Sequence, residues 1–432
     1  MRQVFIISYF FPPLGLAGVQ RTLKFIKYLP SYGWRATVLT VKEVDWFVRD
    51  RTLLDEVPED VEVIRTESLE PFRLTHLLLP RRGSGVSQAQ FLLRRGPFPY
   101  LNDFLFVPDG KVGWVPAALG QARRAALADH FDLIYSTAPP YSAHLLASLL
   151  KLHTGLPMVI DFRDSWSDNP FTRRPTPFHR ALVSYLERRT LRRADVVVAV
   201  DRAIAGLLAR KLRPEEQSKV RVVEQGYDPE DFLVRPAPRD RRFTIVYTGT
   251  FIGDRTCRYL LTALSHLIVQ GRIPRDDVRV CFVGARARSE EQVATRLGLD
   301  EVVEFIPYVP HRDSISYLMS ADLLWLIIGP DEGETIATGK LYEYLGARRP
   351  ILASVPRGMA QELIESTGAG IAVHPRDVPG LERVLLQLYR NYKQDRQLPE
   401  IPREVAARFD RRYLTGKLAA IFDEAVRGRG RA

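Results

Sequence analysis

The stretch GPDEGETIATGKLYEYLGARRPILAS, from Gly329 to Ser354, predicts a loop, a short helix and a buried strand. Thr338 is a suitable N-cap for the helix, and Pro350 ends it. The apolar residues between these limits recur at helical spacing, at Leu341, Tyr344 and Leu345. One side of the predicted helix is therefore buried against the protein core.

The start of this helix predicts an anion-binding site. Helix N-termini offer unbonded backbone N–H groups and the positive end of the dipole, which attract an anion such as a diphosphate. The sequence supplies these amides from Thr338, Gly339, Lys340 and Leu341, with the lysine charge beside them. Glu343, which we assign to the first helical turn, would accept hydrogen bonds from a sugar diol. Alternatively, Glu343 only complements the dipole and Lys340 is solvated.

Length and composition indicate a soluble protein with two domains. The chain has 432 residues, which is too many for one compact core, and 46% are hydrophobic and 26% charged. The two cysteines, Cys257 and Cys281, argue against a disulfide framework and fit a reducing cytoplasm. The N-terminal apolar stretch ends at Pro12-Pro13 without a cleavage pattern, so we interpret it as a buried strand and not a signal peptide.

The net charge of +11 is compatible with three kinds of partner. Such a surface could face nucleic acid, anionic lipid or a small anionic substrate, or it could simply be solvated. Segment 67–116 could lie on an anionic membrane surface, because its apolar clusters are flanked by arginine pairs at Arg81-Arg82 and Arg94-Arg95. The alternative for this segment is a pair of helices that pack on the domain with their arginines outward.

Three predicted strands of the first half end next to polar or glycine residues. The strand Val4–Ser8 precedes a loop with Gly15 and Gly18, a geometry that lets backbone approach a phosphate, although the full dinucleotide fingerprint is missing. His144 follows another strand, and Asp161 and Arg163 end a third. Open α/β sheets bind ligands at this edge. The alternatives are a core histidine and a structural ion pair of Asp161 with Arg163.

The second half repeats the strand–helix rhythm after a linker predicted at 229–242. Arg255 follows a glycine-containing turn after the strand Phe243–Tyr247, so it could pair with a phosphate. No Asp-x-Asp pair stands at a strand end, and no His/Cys ligand cluster occurs in the sequence. The sequence therefore predicts no metal site.

The order of these motifs resembles the retaining GT-B glycosyltransferases of glycosyltransferase family 4, especially bacterial members of surface-polysaccharide pathways. The resemblance spans nearly the whole chain. It is carried by Phe11-Pro12-Pro13 with Gly15, Gly18 and Arg21, by Asp109 to Trp114, Ser136 to His144, Asp161 to Trp166, Gly226-Tyr227-Asp228, Tyr247 to Thr250, and Lys340 to Leu345.

The resemblance implies an α/β fold of the GT-B class, in which two Rossmann-like domains with parallel sheets face each other across a cleft. Residues 1–228 would form the acceptor-side domain, and 243–402 the nucleotide-sugar domain. Residues 403–432 would form a C-terminal helix that can cross back to the first domain.

The resemblance also implies residue roles. Glu343 would bind the donor ribose, Arg255 and Lys340 its diphosphate, and the loop from Ile306 to Val309, including Tyr308, would lie along the base. Further donor contacts would come from Gly15, Gly18 and Arg21. His144 would approach the transferred sugar, with Asp161 and Arg163 as its catalytic partners. The family's first glutamate would fall at Thr335, but the nearest acid is Glu334, so either residue could contact the sugar.

These roles predict a metal-independent hexosyl- or N-acetylhexosaminyltransferase that retains the anomeric configuration. It would use a UDP- or GDP-sugar and a glycan or lipid-linked acceptor, in the cytoplasm or at the inner face of the cell membrane. Three alternatives remain: a GT-B sugar-nucleotide epimerase, a non-catalytic protein that binds nucleic acid or membrane, and an inactive scaffold. Nucleic acid is disfavoured, because aromatic residues do not alternate with the arginines.

Overall fold

The computed structural model describes residues 1–14, 17–42, 50–69, 103–169, 174–251, 253–284, 288–332, 338–395 and 398–429. The chain forms two compact units. The first consists of Met1–Glu224 and Leu414–Ala432, and the second of Gln225–Tyr413. Elements are numbered below in chain order within the described residues.

The first unit is built on a parallel sheet with the strand order β3-β2-β1-β4-β5-β6-β7. Continuous apolar runs form its central strands because both faces of the sheet are covered. The strands are β1 (Arg2–Ile7), β2 (Trp34–Val41), β3 (Glu62–Thr66), β4 (Leu133–Ala138), β5 (Met158–Phe162), β6 (Val196–Ala199) and β7 (Val220–Val222). The helices among them are α1 (Ala17–Tyr28), α2 (Val115–Ala128), α3 (Ser142–Thr154), α4 (Pro177–Arg193) and α5 (Arg202–Ala209).

The second unit repeats this plan with the strand order β10-β9-β8-β11-β12-β13, again parallel. Its strands are β8 (Phe243–Thr248), β9 (Val278–Val283), β10 (Val303–Ile306), β11 (Leu323–Ile327), β12 (Ile351–Ser354) and β13 (Gly370–Val373). Its helices are α6 (Arg258–Val269), α7 (Arg288–Arg296), α8 (His311–Ser320), α9 (Gly339–Ala347), α10 (Met359–Thr367) and α11 (Val378–Asp395).

The C-terminal segment forms two helices, α12 (Arg403–Ala407) and α13 (Arg411–Arg429), so the expectation of one continuous helix is wrong. The chain leaves the helix to bond with Tyr227: the Tyr227 N–H donates to the Phe409 carbonyl at 3.0 Å, and the Arg411 N–H donates to the Tyr227 carbonyl at 2.9 Å. From Leu414 onward α13 belongs to the first unit, where Leu414, Leu418 and Phe422 join a buried core cluster.

Much of the linker predicted at 229–242 packs within the second unit. A short 3₁₀ turn spans Pro229–Phe232, and Phe232 and Val234 contact the buried core that includes α9. The Ala237 N–H donates to the Ser316 carbonyl at 3.0 Å. Hydrophobic contacts and backbone hydrogen bonds therefore hold this segment, despite its proline-rich composition.

The predicted α/β class with two parallel sheets is confirmed. In each sheet the strand order reverses beside the first strand of the unit, between β1 and β4 and between β8 and β11. Ligands of open α/β sheets bind beyond the carboxyl ends of strands at such switch points. Within the described ranges, no helix has the length and apolarity to cross a membrane.

Candidate functional site

The switch point of the second sheet brings together the chain that follows β8 and the chain that follows β11. The first is the turn at Thr248–Gly249–Thr250, and the second leads into α9. The buried Tyr344 hydroxyl joins them: it accepts from the Thr248 N–H at 3.1 Å and donates to the Trp325 carbonyl at 3.2 Å. This residue of α9 therefore fixes the helix against the end of β8 and the middle of β11.

Gly249 lets the Lys340 side chain cross this turn. Its φ of 134° is one that residues with a side chain rarely adopt. A Cβ at this position would come within 1.9 Å of Lys340 Cε. Glycine therefore provides both the backbone conformation and the space that Lys340 occupies.

The Lys340 ammonium carries a charge that the described residues leave unpaired. It lies 5.8 Å from the centroid of the Tyr247 ring, and within the described ranges it makes no ion pair or hydrogen bond. Burial lowers its pKa, and nearby Arg255 lowers it further, while Glu343 and Glu332 oppose this shift. A partly buried cation without a partner is costly, so this position favours an anion.

Arg255, the second predicted phosphate ligand, is held by a carboxylate that the sequence analysis did not select. Its Nε and Nη2 donate to Glu332, at 2.8 and 2.6 Å. Both side chains are largely buried, with exposures of 16% and 10%. Nη1 has no hydrogen-bond partner among the residues described, so the guanidinium is oriented while one donor group remains available.

Glu343 is the fifth residue of α9, so its assignment to the first helical turn is wrong. Its Oε1 accepts from His311 Nε2 at 3.0 Å, and its side chain is 26% exposed. Oε2 makes no hydrogen bond within the described part of the chain. One carboxylate oxygen is thus anchored by the first residue of α8, and the other can accept from a ligand.

The start of α9 agrees in part with the prediction. Thr338 is the N-cap in extended conformation, although its hydroxyl makes no capping hydrogen bond. The Leu341 N–H donates to the Thr338 carbonyl at 3.0 Å, and its side chain is fully buried. This corrects the role predicted for Leu341, because its amide is already used. Gly339 and Lys340 remain as the amides of the first turn that could meet an anion.

The remaining donor-binding predictions in these loops concern Tyr308, Gly15, Glu334 and Thr335. Tyr308 lies in the loop before α8 with 58% of its surface exposed. Gly15, Glu334 and Thr335 lie outside the described residues. Their roles stay predictions.

In the first unit, Arg21 and Asp161 form a fully buried ion pair. Arg21 donates to both Asp161 oxygens, at 2.7 and 2.9 Å, and to the carbonyls of Val223 and Glu224. The carboxylate also accepts from Tyr135 at 2.8 Å and from Thr137. Burial alone would raise the pKa of Asp161, but the Arg21 guanidinium brings it below its ordinary value. Neither side chain is exposed, so the pair supports the fold, and the site roles predicted for Arg21 and Asp161 stay predictions.

Arg163 lies against the first turn of α1 and does not pair with Asp161. Its guanidinium donates to the carbonyls of Ala138 and Pro139. A Cβ on Gly18 would come within 2.0 Å of Arg163 Nη1, so glycine is required for this close approach. Burial lowers the pKa of Arg163, with Asp164 and Asp161 opposing. The structure thus brings two predicted residues, Gly18 and Arg163, into direct contact.

His144 is a fully buried residue in the first turn of α3. Its Nδ1 is 2.7 Å from the Ser136 hydroxyl on β4, and its ring contacts Phe162 on β5. Burial lowers the pKa of His144 to about 3, so the imidazole is neutral near pH 7. Nε2 has no hydrogen-bond partner among the described residues. This buried nitrogen is therefore a polar group that the described residues leave unsatisfied.

Three supporting residues were missed by the sequence analysis: Glu332, His311 and Ser136. Glu332 stands in the loop that follows β11 and was overlooked because no residue spacing links it to Arg255. His311 and Ser136 orient predicted residues that are 32 and 8 positions away in the chain. The available signal for Glu332 was an acidic residue in a loop at the ligand-binding edge of the sheet. The contacts of His311 and Ser136 depend on tertiary structure.

Two family models together match most of the chain. Residues 19–231 match Glycosyltransferase Family 4, and residues 242–391 match Glycosyl transferases group 1. Among curated protein sequences, none matches this chain.

Solved structures share the fold over nearly the full length at low sequence identity. Anabaena HepE in complex with UDP and glucose is 18% identical, with a TM-score of 0.63 over 98% of this chain and 100% of that one. A glycosyltransferase from Rickettsia africae is 16% identical, with a TM-score of 0.64 over 98% and 99%. Sucrose-phosphate synthase from Thermosynechococcus elongatus is 15% identical, with a TM-score of 0.63 over 98% and 99%. The chain therefore belongs to the family 4-like glycosyltransferases with the GT-B fold.

Proposed function

We propose that this glycosyltransferase moves a hexose or N-acetylhexosamine from a nucleotide sugar to a glycan or lipid-linked acceptor, retaining the anomeric configuration and using no metal ion. The observation that carries the proposal is the unpaired Lys340 ammonium, partly buried at the start of α9. An anionic donor would give this charge the partner that the described residues do not provide.

The other groups around Lys340 suit the remaining parts of such a donor. Arg255, oriented by Glu332, supplies a second cation for the diphosphate. Glu343 has one free oxygen for the ribose diol, because a carboxylate accepts from hydroxyl groups. Tyr308 is exposed and offers a ring for the base. The crystal structures of Anabaena HepE with UDP and with UDP-glucose support UDP ahead of GDP as the nucleotide.

The chemistry follows from where charge develops. Cleavage of the bond between the sugar anomeric carbon and the diphosphate oxygen gives an oxocarbenium-like centre and leaves negative charge on the diphosphate. Lys340, Arg255 and the first amides of α9 would stabilise that leaving charge, which is the role a metal ion fills in other transferases. The acceptor hydroxyl would then attack from the face that the diphosphate leaves, with its proton passing to a diphosphate oxygen.

His144 is our candidate for the group that meets the transferred sugar. Its neutral ring and unsatisfied Nε2 would form a hydrogen bond with a sugar hydroxyl. Arg163 and Gly18 would present a cation and close backbone to the anionic side of the donor. Asp161 acts indirectly in this proposal, through its hydrogen bonds that order β4 and α1.

The proposed biological setting is the synthesis of a surface polysaccharide. The chain resembles bacterial family members that build surface polysaccharides, and cytoplasmic synthesis with peripheral contact at the inner face of the membrane would give access to a lipid-linked acceptor. This setting predicts transfer to a lipid-linked oligosaccharide in preference to a free monosaccharide.

A thermal-shift panel of UDP- and GDP-sugars tests the donor site directly. One donor should stabilise the wild type, and the shift should disappear in Glu343→Ala. Arg376→Ala, at an exposed arginine paired with Asp331, is the control and should keep the shift. His144→Ala should keep much of the shift and lose turnover. No shift with any sugar nucleotide, together with no transfer to lipid acceptors, would overturn the proposal.

The metal requirement needs a separate measurement. Transfer should proceed unchanged in excess EDTA, and added Mg²⁺ or Mn²⁺ should not restore any lost rate. A rate that collapses in EDTA and returns with a divalent cation would refute the metal-independent mechanism while leaving the donor assignment intact.

A further inference from the structure

Helix α4 has an outer face that combines aromatic rings with arginines. At 3.6 residues per turn, six exposed residues fall on one side of this helix. They define the α4 outer face: Phe178, Ala181, Tyr185, Arg188, Arg189 and Arg192. The opposite side is buried, with Val183 and Glu187 facing inward. Among the residues that the structure describes, the outer face is thus left exposed to solvent.

The charge of this face is entirely positive. The only acidic residue of α4 is Glu187, which is fully buried and pairs with Lys211 at 2.8 Å. Arg189 donates to the Tyr185 hydroxyl at 2.8 Å, while the Arg188 and Arg192 side chains extend into solvent. Three arginines without a carboxylate on their own face form a local anion-attracting surface.

An exposed apolar cluster adjoins the N-terminal end of the face. Phe104, Leu105 and Phe178 are 51%, 59% and 69% exposed. The His179 ring contacts both phenylalanines, with centroid distances of 4.9 Å to Phe104 and 5.9 Å to Phe178, and its Nε2 is 2.9 Å from the Phe104 carbonyl. Phe104 and Leu105 belong to the predicted membrane segment 67–116, of which residues 70–102 lie outside the described ranges.

We infer that the α4 outer face, with Phe104 and Leu105, docks on the surface of an anionic lipid bilayer. Phenyl and leucyl groups gain from leaving water for the acyl boundary, tyrosine suits the headgroup level, and arginines bind lipid phosphates. The α4 axis, about 25 Å long for its 17 residues, would lie along the membrane plane. The inference rests on the membrane setting of the proposed function and names the surface that makes the contact, and it does not depend on which donor or acceptor is used.

Two other occupants fit the surface less well. In a symmetric contact with a second copy of the protein, the arginines of one copy would face the same arginines of the other, and these like charges would repel. A nucleic acid would satisfy the arginines, but Phe104, Leu105 and Phe178 would gain little from a phosphate backbone. Only a surface with both anionic groups and accessible hydrocarbon matches all of the exposed groups.

Vesicle sedimentation of the full-length protein tests the electrostatic half of the inference. The wild type should bind vesicles of phosphatidylcholine with phosphatidylglycerol and not vesicles of phosphatidylcholine alone. Arg188→Gln/Arg192→Gln should weaken binding about 25-fold, which is roughly fivefold for each arginine lost near an anionic surface. Arg123→Gln/Arg124→Gln, at exposed arginines of α2, removes the same charge elsewhere and should change binding less than about threefold.

A fluorescent label tests contact with hydrocarbon. Both native cysteines are buried, so an environment-sensitive dye can be attached selectively to Phe178→Cys or to the control Leu127→Cys, an 89% exposed position on α2. With anionic vesicles, the dye should brighten and shift to the blue at 178 and stay unchanged at 127.

Three results would overturn the inference. These are no vesicle binding by the wild type, equal losses in the two double-glutamine variants, and an unchanged dye signal at 178. RNA binding without vesicle binding would instead favour the nucleic-acid alternative. Lys340→Ala should bind vesicles like the wild type, so the membrane surface and the donor site can fail independently.

Discussion

At the scale of single residues, Lys340 combines a cost to stability with a benefit to binding. Its ammonium is partly buried, burial lowers its pKa, and the described residues give it no ion pair. We predict that Lys340→Met raises the unfolding free energy of the free protein by on the order of 1 kcal/mol, because an uncompensated charge is replaced by a side chain of similar length. Donor-induced stabilisation should be lost in the same variant.

Chemical denaturation with and without the donor sugar nucleotide measures both effects. Lys393→Met is the matched control, because Lys393 is 38% exposed and pairs with Asp277. That control should be no more stable than the wild type and should keep the donor effect. A Lys340→Met protein that is less stable and still responds to donor would contradict the assignment.

His144 predicts a pH dependence of stability with a defined sign. Burial lowers its pKa to about 3 in the folded state, against an ordinary value near 6.5 in the unfolded chain. Between these values the unfolded state binds more protons, so stability is complete above about pH 6.5 and is lost as pH falls towards 3. At pH 4.5 the loss attributable to His144 should be roughly 2–3 kcal/mol.

His144→Asn should remove this part of the pH dependence, because asparagine has no charge to gain. The measurement is the difference in unfolding free energy between pH 7.5 and pH 4.5, which should be smaller in the variant than in the wild type. The control is the same substitution, His153→Asn, at an exposed position of α3. Equal differences in His144→Asn and wild type would show that His144 does not stay neutral on folding.

Residue types alone could not separate ligand contacts from buried pairs. The sequence placed His144 after β4 and Asp161 and Arg163 at the end of β5, and it offered Asp161 with Arg163 as a structural ion pair. The structure pairs Asp161 with Arg21, 140 positions away, and turns Arg163 toward Gly18. Both arrangements pair an arginine with the same aspartate, but Arg163 follows β5 and Arg21 lies on α1. Only the packing of α1 against the sheet decides which arginine reaches the carboxylate.

At the scale of elements, the position of α9 depends on one hydroxyl. Tyr344 accepts from the Thr248 N–H and donates to the Trp325 carbonyl, both in the buried core. We predict that Tyr344→Phe lowers the unfolding free energy by about 2–3 kcal/mol, because a buried donor and a buried acceptor lose their partner. Donor binding should also weaken, because the Gly249 turn is no longer tied to the helix that carries Lys340.

Denaturation curves and donor thermal shifts, measured on the same preparations, test this prediction. Tyr413→Phe, at a tyrosine with 53% exposure, controls for loss of a phenol hydroxyl. An unchanged denaturation midpoint in Tyr344→Phe would mean that water or a neighbouring group replaces the hydroxyl.

The elements themselves were largely predictable from periodicity. Apolar runs predicted the central strands within about two residues, and the Thr338 cap and the Leu341–Leu345 stripe predicted α9. The break between α12 and α13 was not predictable, because it depends on hydrogen bonds of the Phe409 carbonyl and the Arg411 N–H with Tyr227. That contact joins segments about 180 positions apart, and it leaves no mark on local periodicity.

At the scale of the whole molecule, each unit has its own parallel sheet and its own buried clusters. The repeated strand–helix rhythm in the sequence predicts two such sheets, since successive parallel strands need crossover connections. It does not predict that the chain returns after Tyr413, where α13 supplies core residues to the first unit. The amphipathic pattern of α13 identifies a buried face and leaves open which core receives it.

This division predicts two unfolding transitions that respond to different substitutions. Phe422 of α13 is fully buried, with its ring 5.3 Å from Trp34 and 5.4 Å from Tyr135. Phe422→Ala should lower the stability of the first unit by about 3–5 kcal/mol, because truncation leaves a cavity that rigid neighbours cannot fill. The second unit, which holds Lys340 and Glu343, should keep its midpoint and its stabilisation by donor.

Phe282→Ala is the matched control, because this phenylalanine is equally buried against Tyr247 and Trp325 in the second unit. It should lower the donor-sensitive transition and leave the other unchanged. Scanning calorimetry with and without a sugar nucleotide distinguishes the two, since a ligand raises only the transition of the unit that binds it. A single transition that both substitutions shift equally would mean that the two cores unfold as one cooperative body, and α13 would then stabilise the whole chain.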